Sequence, residues 1–97
     1  MTITLRKEAL DYYILSSLSI QDLYEVQILQ NVVPYININH ADFFKALNML
    51  ERRGMITKER FQEDALTHYN LCSITPLGKD CVEALEQELD LRLSQYR

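Results

Sequence analysis

Chain-breaking residues are scarce in this 97-residue sequence, which has only two glycines and two prolines. That scarcity excludes a Gly/Pro-rich disordered or fibrous composition and leaves long stretches free to be helical. Tryptophan is absent, and the two cysteines, Cys72 and Cys81, stand apart without CxxC spacing or grouped histidines. A metal site is therefore not expected; both are read as small buried hydrophobes, with a thiol sensor as the alternative. Long hydrophobic runs are missing too. The longest uncharged stretch, 26–41, is interrupted by Gln, Asn, His and Pro, so no membrane span is expected. No basic segment followed by an apolar stretch opens the chain, so no secretory signal is expected and the cytoplasm is the expected location. Catalytic patterns are lacking as well. There is no Gly-rich phosphate loop, no nucleophile elbow and no carboxylate pair tied to a histidine, which argues against an enzyme and calls for no cofactor.

An excess of positive charge is also absent: the formal net charge is −4. Residues 1–60 balance seven basic against seven acidic side chains, and residues 61–97 carry three against seven. Between Asn39 and Gln62, five basic residues (Lys45, Arg52, Arg53, Lys58, Arg60) face three acidic ones. The middle of the chain can thus present a mildly positive face although the whole is acidic. The 47% hydrophobic content and 25% charge fit one ordered, mostly helical domain spanning 1–97.

What is present is organised around the stretch from Asn39 to Ile56. Phe43, Phe44, Ala46, Leu47 and Leu50 fall at helical spacing, in 43/47/50 and 44/47/51 ladders. Asn39 followed by Asp42 gives a capping-box-like start, Arg52 and Arg53 sit in the last turn, and Gly54 supplies a stop. Met55-Ile56 then resumes an apolar run. A helix, a Gly stop and an immediate strand describe the second helix of a helix-turn-helix followed by a β-wing.

The remaining elements follow in order. A first helix is predicted over 5–18, with Leu10, Tyr13, Ile14, Ser17 and Leu18 on its inner face. Ser19 and Asp22 predict a capped second helix over 21–32, buried through Leu23, Val26 and Leu29 or Ile28, and ended by the effect of Pro34 on Val33. The third helix is placed at 40–53. Alternation over 55–75 predicts a hairpin wing with its tip at Glu63-Asp64-Ala65. Thr75-Pro76 opens a long last helix over 76–96, with Leu77, Cys81, Val82, Leu85, Leu89, Leu93 and Tyr96 on one stripe. The predicted fold is mostly α with a small β-hairpin wing, in the order α-α-α-β-β-α.

At four places the chain resembles the PadR-type winged helix. Tyr24-Glu25-Val26 is similar to that family's Tyr-Glu-Ile/Leu in the second helix. Phe44, Ala46-Leu47 and Leu50 are similar to Tyr-x-Ala-Leu-x-x-Leu in its recognition helix. Arg53-Gly54-Met55-Ile56 is similar to Glu-Gly-Leu-Ile, and Leu71 to Gly78 to the Tyr-x-Leu-Thr-x-x-Gly that leads into the last helix. These short motifs are shared with MarR-like and other winged helices. The resemblance implies a dimeric transcriptional regulator, paired through terminal helices, with the third helix in the major groove and a basic wing. Departures stand beside it. Asp42 replaces the usual Ser or Thr, the wing tip reads Gln-Glu-Asp-Ala instead of Arg/Lys-rich, and Asp22-Leu23 replaces His-Gly.

The solvent-facing set expected on the third helix is Asn39, His40, Asp42, Phe43, Lys45, Asn48, Met49 and Arg52. The DNA reading assigns Asn48 to adenine, Arg52 to guanine or a phosphate, and Lys45 to the backbone, with Asn39 and His40 at the same approach. Lys58 and Arg60 add a wing contact, against a solvated ribbon as the plainer alternative. This reading requires Phe43 and Lys45 to be open to solvent. The stripe Val82, Leu85, Leu89, Leu93 and Tyr96 is expected to form a homodimer interface, against packing on Leu10, Tyr13 and Ile14 of the same chain. A second functional reading is a protein-binding module, an antirepressor or adaptor that has lost DNA affinity, using Phe43, Met49 and the acidic wing.

Overall fold

The computed structural model describes residues 7–94, with side chains described from Leu10 to Glu88. Helix α1 (Lys7–Ile20) is followed by a two-residue strand β1 (Leu23–Tyr24), helices α2 (Glu25–Val32) and α3 (His40–Arg52), strands β2 (Ile56–Gln62) and β3 (His68–Ile74), and helix α4 (Pro76–Ser94). The strands form one antiparallel sheet in the order β1-β3-β2. Ile56 pairs with Ile74 and Gln62 with His68, so β2 and β3 make a regular hairpin. Leu23 pairs with Cys72 and Tyr24 with Leu71, which adds β1 to the other edge of β3.

Helix α1 is the hub, packing against α2, α3, α4 and β3. Its core residues are Leu10, Ile14, Leu15 and Leu18, while Tyr13 and Ser17 sit at the margin of the apolar face. Leu15 is fully buried because four neighbours surround a wider arc of the helix than one amphipathic stripe supplies.

The second helix departs from its sequence expectation. Leu23 and Tyr24 are drawn into the sheet, so α2 begins at Glu25. Ser19 caps nothing; its hydroxyl donates back to the Leu15 carbonyl at 3.0 Å. The N-terminal bond is instead Tyr24 N–H to Gln27 Oε1 at 3.0 Å. The later start fixes the phase on Ile28 and Val32, which are buried, and leaves Val26 60% exposed. Val33 remains helical at φ −51°, ψ −39°, so Pro34 does not act by displacing its dihedrals. Proline stops the ladder because it has no N–H, and Tyr35 and Ile36 close a turn onto the Val32 carbonyl at 2.9 and 3.1 Å. Ile36 thereby enters the core at 6% exposure.

Helix α3 starts and stops where its local chemistry dictates. Asn39 Oδ1 accepts from Asp42 N–H at 2.8 Å, and Asn39 Nδ2 donates to the Asp42 carboxylate at 3.1 Å. At the far end Gly54 takes φ +76°, with Gly54 N–H on the Glu51 carbonyl and Met55 N–H on the Leu50 carbonyl, each at 3.0 Å. That bond pair is a Schellman closure, which needs the left-handed residue glycine provides. Phe43, Ala46, Leu47 and Leu50 seal the inner face.

The junction into α4 is closed by Thr75. Its hydroxyl donates to the Gly54 carbonyl at 2.6 Å and accepts from Gly78 N–H at 3.1 Å, while its own N–H reaches the Met55 carbonyl at 3.0 Å. Helix α4 spans 19 residues, about 28 Å. Val82 joins the monomer core at 6% exposure, and Tyr12 OH reaches Glu86 at 3.5 Å across the α1–α4 contact. No helix of the described residues is long and apolar enough to cross a membrane.

Candidate functional site

Burial of positions 43, 46, 47 and 50 turns the opposite side of α3 outward. Lys45, Asn48 and Arg52 recur there at spacings of three and four, so they share a face, and all three are exposed. His40 is exposed at the first turn. Lys45, Arg52 and Arg60 make no ion pair or hydrogen bond with any other described side chain.

Phe43 corrects the expected outward set. It is 0% exposed and stacks edge-on against Phe44 at 5.4 Å. Its place in the 43/47/50 ladder makes it a core residue, so the expectation of an open Phe43 is overturned, while Lys45 is exposed as expected. The outward face at 45, 48 and 52 does not include it and stands without it. With Phe43 buried, the protein-binding alternative loses its aromatic anchor at this helix, and Met49 remains half-buried beside it.

Asn39 also differs from its expected role. Both its amide atoms are engaged with Asp42 in the cap, leaving its side chain a structural part rather than an open contact. The same pairing explains Asp42, whose carboxylate sits at the positive end of the helix dipole.

Lys58 is the largest change. On β2 it shares the inward-facing parity of Ile56, and its side chain is only 11% exposed. Its ammonium lies 3.3 Å from Glu25 Oε2 and donates to Asn48 Oδ1 at 2.7 Å. The other Glu25 oxygen accepts from Asn70 Nδ2 at 2.8 Å. The wing is thus tied to α2 and α3 by a polar chain through Asn70, Glu25, Lys58 and Asn48. Glu25 and Asn70 are members that sequence spacing does not reveal. The available signal was a lysine on the buried parity of a strand, which requires a carboxylate nearby.

The wing tip spans 63–67 and its acids do structural work. Asp64 Oδ1 accepts from Leu66 N–H at 2.8 Å and Thr67 N–H at 2.7 Å, and Tyr69 OH donates to Glu63 at 2.8 Å. The two backbone donors hold the Asp64 carboxyl below its ordinary 3.8. A lowered folded-state pKa stabilises the turn fully above about pH 3.8 and loses that contribution as pH falls through the lower, folded value. In an NMR titration the Asp64 carboxyl should therefore show a midpoint below 3.8, with the Leu66 and Thr67 amides moving in step. A midpoint at or above 3.8 would contradict the turn geometry.

Cys72 is fully buried, and burial pushes its thiol up to about 11, with Glu25 adding to the rise. A thiol held protonated at neutral pH is a poor redox sensor. Among the described residues no three His, Cys, Asp or Glu side chains gather as metal ligands. Of the aromatics, Tyr13 stacks on Tyr35 at 5.3 Å beside an open groove between α1 and α2.

Of the expected dimer stripe, Val82 is used by the monomer core and Leu85 is half-buried. The side chains of Leu89 and Leu93, and all of Tyr96, lie outside the described residues.

Three helices with α3 presented outward, and a β2–β3 hairpin beside it, define a winged helix-turn-helix. The sequence matches no protein-family profile, and comparison with curated proteins gives no significant match. Solved structures do match. A transcriptional regulator from Clostridium thermocellum superposes with a TM-score of 0.83 at 23% identity, over 99% of this chain and 94% of that one. A PadR-like transcription factor from Bacteroides fragilis gives 0.80 at 18% identity, over 96% and 94%. A PadR family transcription regulator from Clostridium difficile gives 0.76 at 22% identity, over 90% and 96%. The chain has the PadR-like winged-helix fold.

Proposed function

We propose that this protein is a small DNA-binding transcriptional regulator, acting as a homodimer that sets two copies of α3 in successive major grooves. The observation that carries the reading is the exposed row Lys45, Asn48 and Arg52 on the outward side of α3, in a fold shared with transcription regulators. Lys45 and Arg52 are the phosphate- and base-contacting cations, Asn48 reads a base edge, His40 approaches a phosphate, and Arg60 supplies the wing contact. Asn39 and Lys58 act from behind, one capping the helix and the other holding Asn48. The 19-residue length of α4 supports pairing of its distal turns, through Leu85, Leu89, Leu93 and Tyr96, with those of a second copy. Occlusion of a promoter by such a dimer would repress transcription. The reading includes no enzymatic activity and no cofactor.

The acidic balance of the chain sets the terms of the test. On a non-specific duplex the protein should be retarded at low salt, and its affinity should fall linearly in log–log form as salt rises. No retardation at low salt would leave the protein-binding module as the surviving reading.

A further inference from the structure

Strand parity sorts the wing by charge. Lys58, Arg60 and His68 fall on the side of the sheet that faces α3, as the Lys58 contact with Asn48 shows. The opposite parity, 57, 59 and 61 on β2 with 69, 71 and 73 on β3, holds no lysine or arginine. Aromatics and an acid stand there instead. Register sets Phe61 opposite Tyr69 and Glu59 opposite Leu71, and on the other edge of β3 it sets Tyr24 opposite Leu71. Directly opposed residues of antiparallel strands share a face, so these side chains lie together. Tyr24 meets Tyr69 edge-on at 5.9 Å and 62°. Glu63 accepts from the Tyr69 hydroxyl at 2.8 Å, which brings a second carboxylate to the same group.

Tyr24, Phe61 and Tyr69 remain 40%, 43% and 44% exposed around a half-buried Leu71. Contiguous apolar surface edged by polar groups marks an interaction site, unlike apolar residues exposed singly. Tyr and Phe are also the residues that interface centres favour. Charge names the occupant. Carboxylates with no cation beside them repel nucleic acid and anionic lipid and attract basic groups. The rings add to that preference, because a guanidinium stacks on aromatic faces. We propose that the outer face of the wing sheet, Tyr24, Phe61, Tyr69 and Leu71 edged by Glu59 and Glu63, docks an arginine-bearing apolar segment of a partner protein. This surface uses neither Phe43 nor Met49. It lies across the sheet from α3, so docking and duplex binding do not compete, and neither requires the other.

The test titrates the isotope-labelled full chain with a short peptide of alternating arginine and leucine and follows the amide shifts. Shifts should saturate, concentrate on Tyr24, Glu59, Phe61, Tyr69 and Leu71, and persist when a duplex is present. Replacing each arginine of the peptide by lysine should weaken binding about threefold, and replacing each by glutamate should abolish it. Phe61→Ser should weaken binding about tenfold, and Glu59→Lys about fivefold. Glu83→Lys reverses the same charge at an exposed position of α4 and should stay within about twofold of wild type. That control separates this face from general attraction to an acidic chain. Should Phe61→Ser fail to fold, the Glu59→Lys and Glu83→Lys pair still decides. Shifts spread over α4, equal losses for the two charge reversals, or no saturable binding overturn the proposal, whatever the duplex result. Self-association that Phe61→Ser removes assigns the face to a second copy and overturns it too. A protein that binds the peptide but retains no duplex loses the DNA reading and keeps this one.

Discussion

Replacing Gly78 by alanine is expected to lower the melting temperature by roughly 10–20 °C, the largest single-residue effect on stability we anticipate. Gly78 is buried in the first turn of α4, facing the Met55 carbonyl that also accepts Thr75 N–H. A Cβ there would collide with that oxygen and come within 2.7 Å of Ile74 Cγ1. Relief requires α4 to withdraw from the α3–β2 corner, which loosens the Thr75 cap between Gly54 and Gly78. Overpacking together with a weakened cap amounts to about 3 kcal/mol, a large part of a small domain's stability. Gly54→Ala is the informative control. Its φ of +76° disfavours alanine, but the nearest atom to an added Cβ, Leu77 Cδ2, is at 3.9 Å. That change should cost about 1–2 kcal/mol from conformation alone. Thermal denaturation followed by circular dichroism compares the two. A Gly78→Ala protein no less stable than Gly54→Ala would contradict the close approach.

The double change Lys45→Ala, Arg52→Ala should weaken duplex binding at least about a hundredfold at moderate salt. It should also flatten the salt dependence, since each phosphate-contacting cation contributes about one unit to the slope. Both residues are exposed and make no bond to other described side chains, so the fold has little reason to change. Arg53 separates this effect from charge alone. It lies 3.9 Å from Asp11 on the α1 side, and Arg53→Ala should leave affinity within about threefold of wild type. Titration of labelled duplex at several salt concentrations gives both affinity and slope. Equal losses for Arg53→Ala and the double variant would mean that net charge, not the outward row, governs binding.

These two predictions draw on parts of the molecule that were unequally visible in the sequence. Helix α3 was legible because its signals are local: Asn39 and Asp42 are three residues apart, and Gly54 directly follows the last turn. The strand-to-helix change at Thr75-Pro76 was legible for the same reason. Helix α2 was misplaced because β1 pairs with a strand nearly fifty positions away, and that pairing takes Leu23 and Tyr24 from the helix. No local pattern announces such a partner, so local spacing alone turns Val26 inward where the structure leaves it exposed. Among site residues, the row 45, 48, 52 followed from helical periodicity once the core ladder was fixed. Phe43 fits both the inner ladder and the outward set by spacing alone, and burial places it on the ladder. The charge of Lys58 suggests an open wing cation, whereas strand parity with Ile56 and the remote Glu25 draw it inward. The acids of the wing tip, which depart from an Arg/Lys-rich pattern, include a carboxylate that shapes the turn.

The central claim is that the outward side of α3 meets the major groove, and amide chemical-shift mapping with a short duplex tests it most directly. Changes should concentrate at Lys45, Asn48 and Arg52 and extend to Arg60 on the wing, with Phe43 and the α1 core largely still. Shifts gathered elsewhere, on the exposed Ile20 or Tyr35 for instance, or none at low salt, would contradict it.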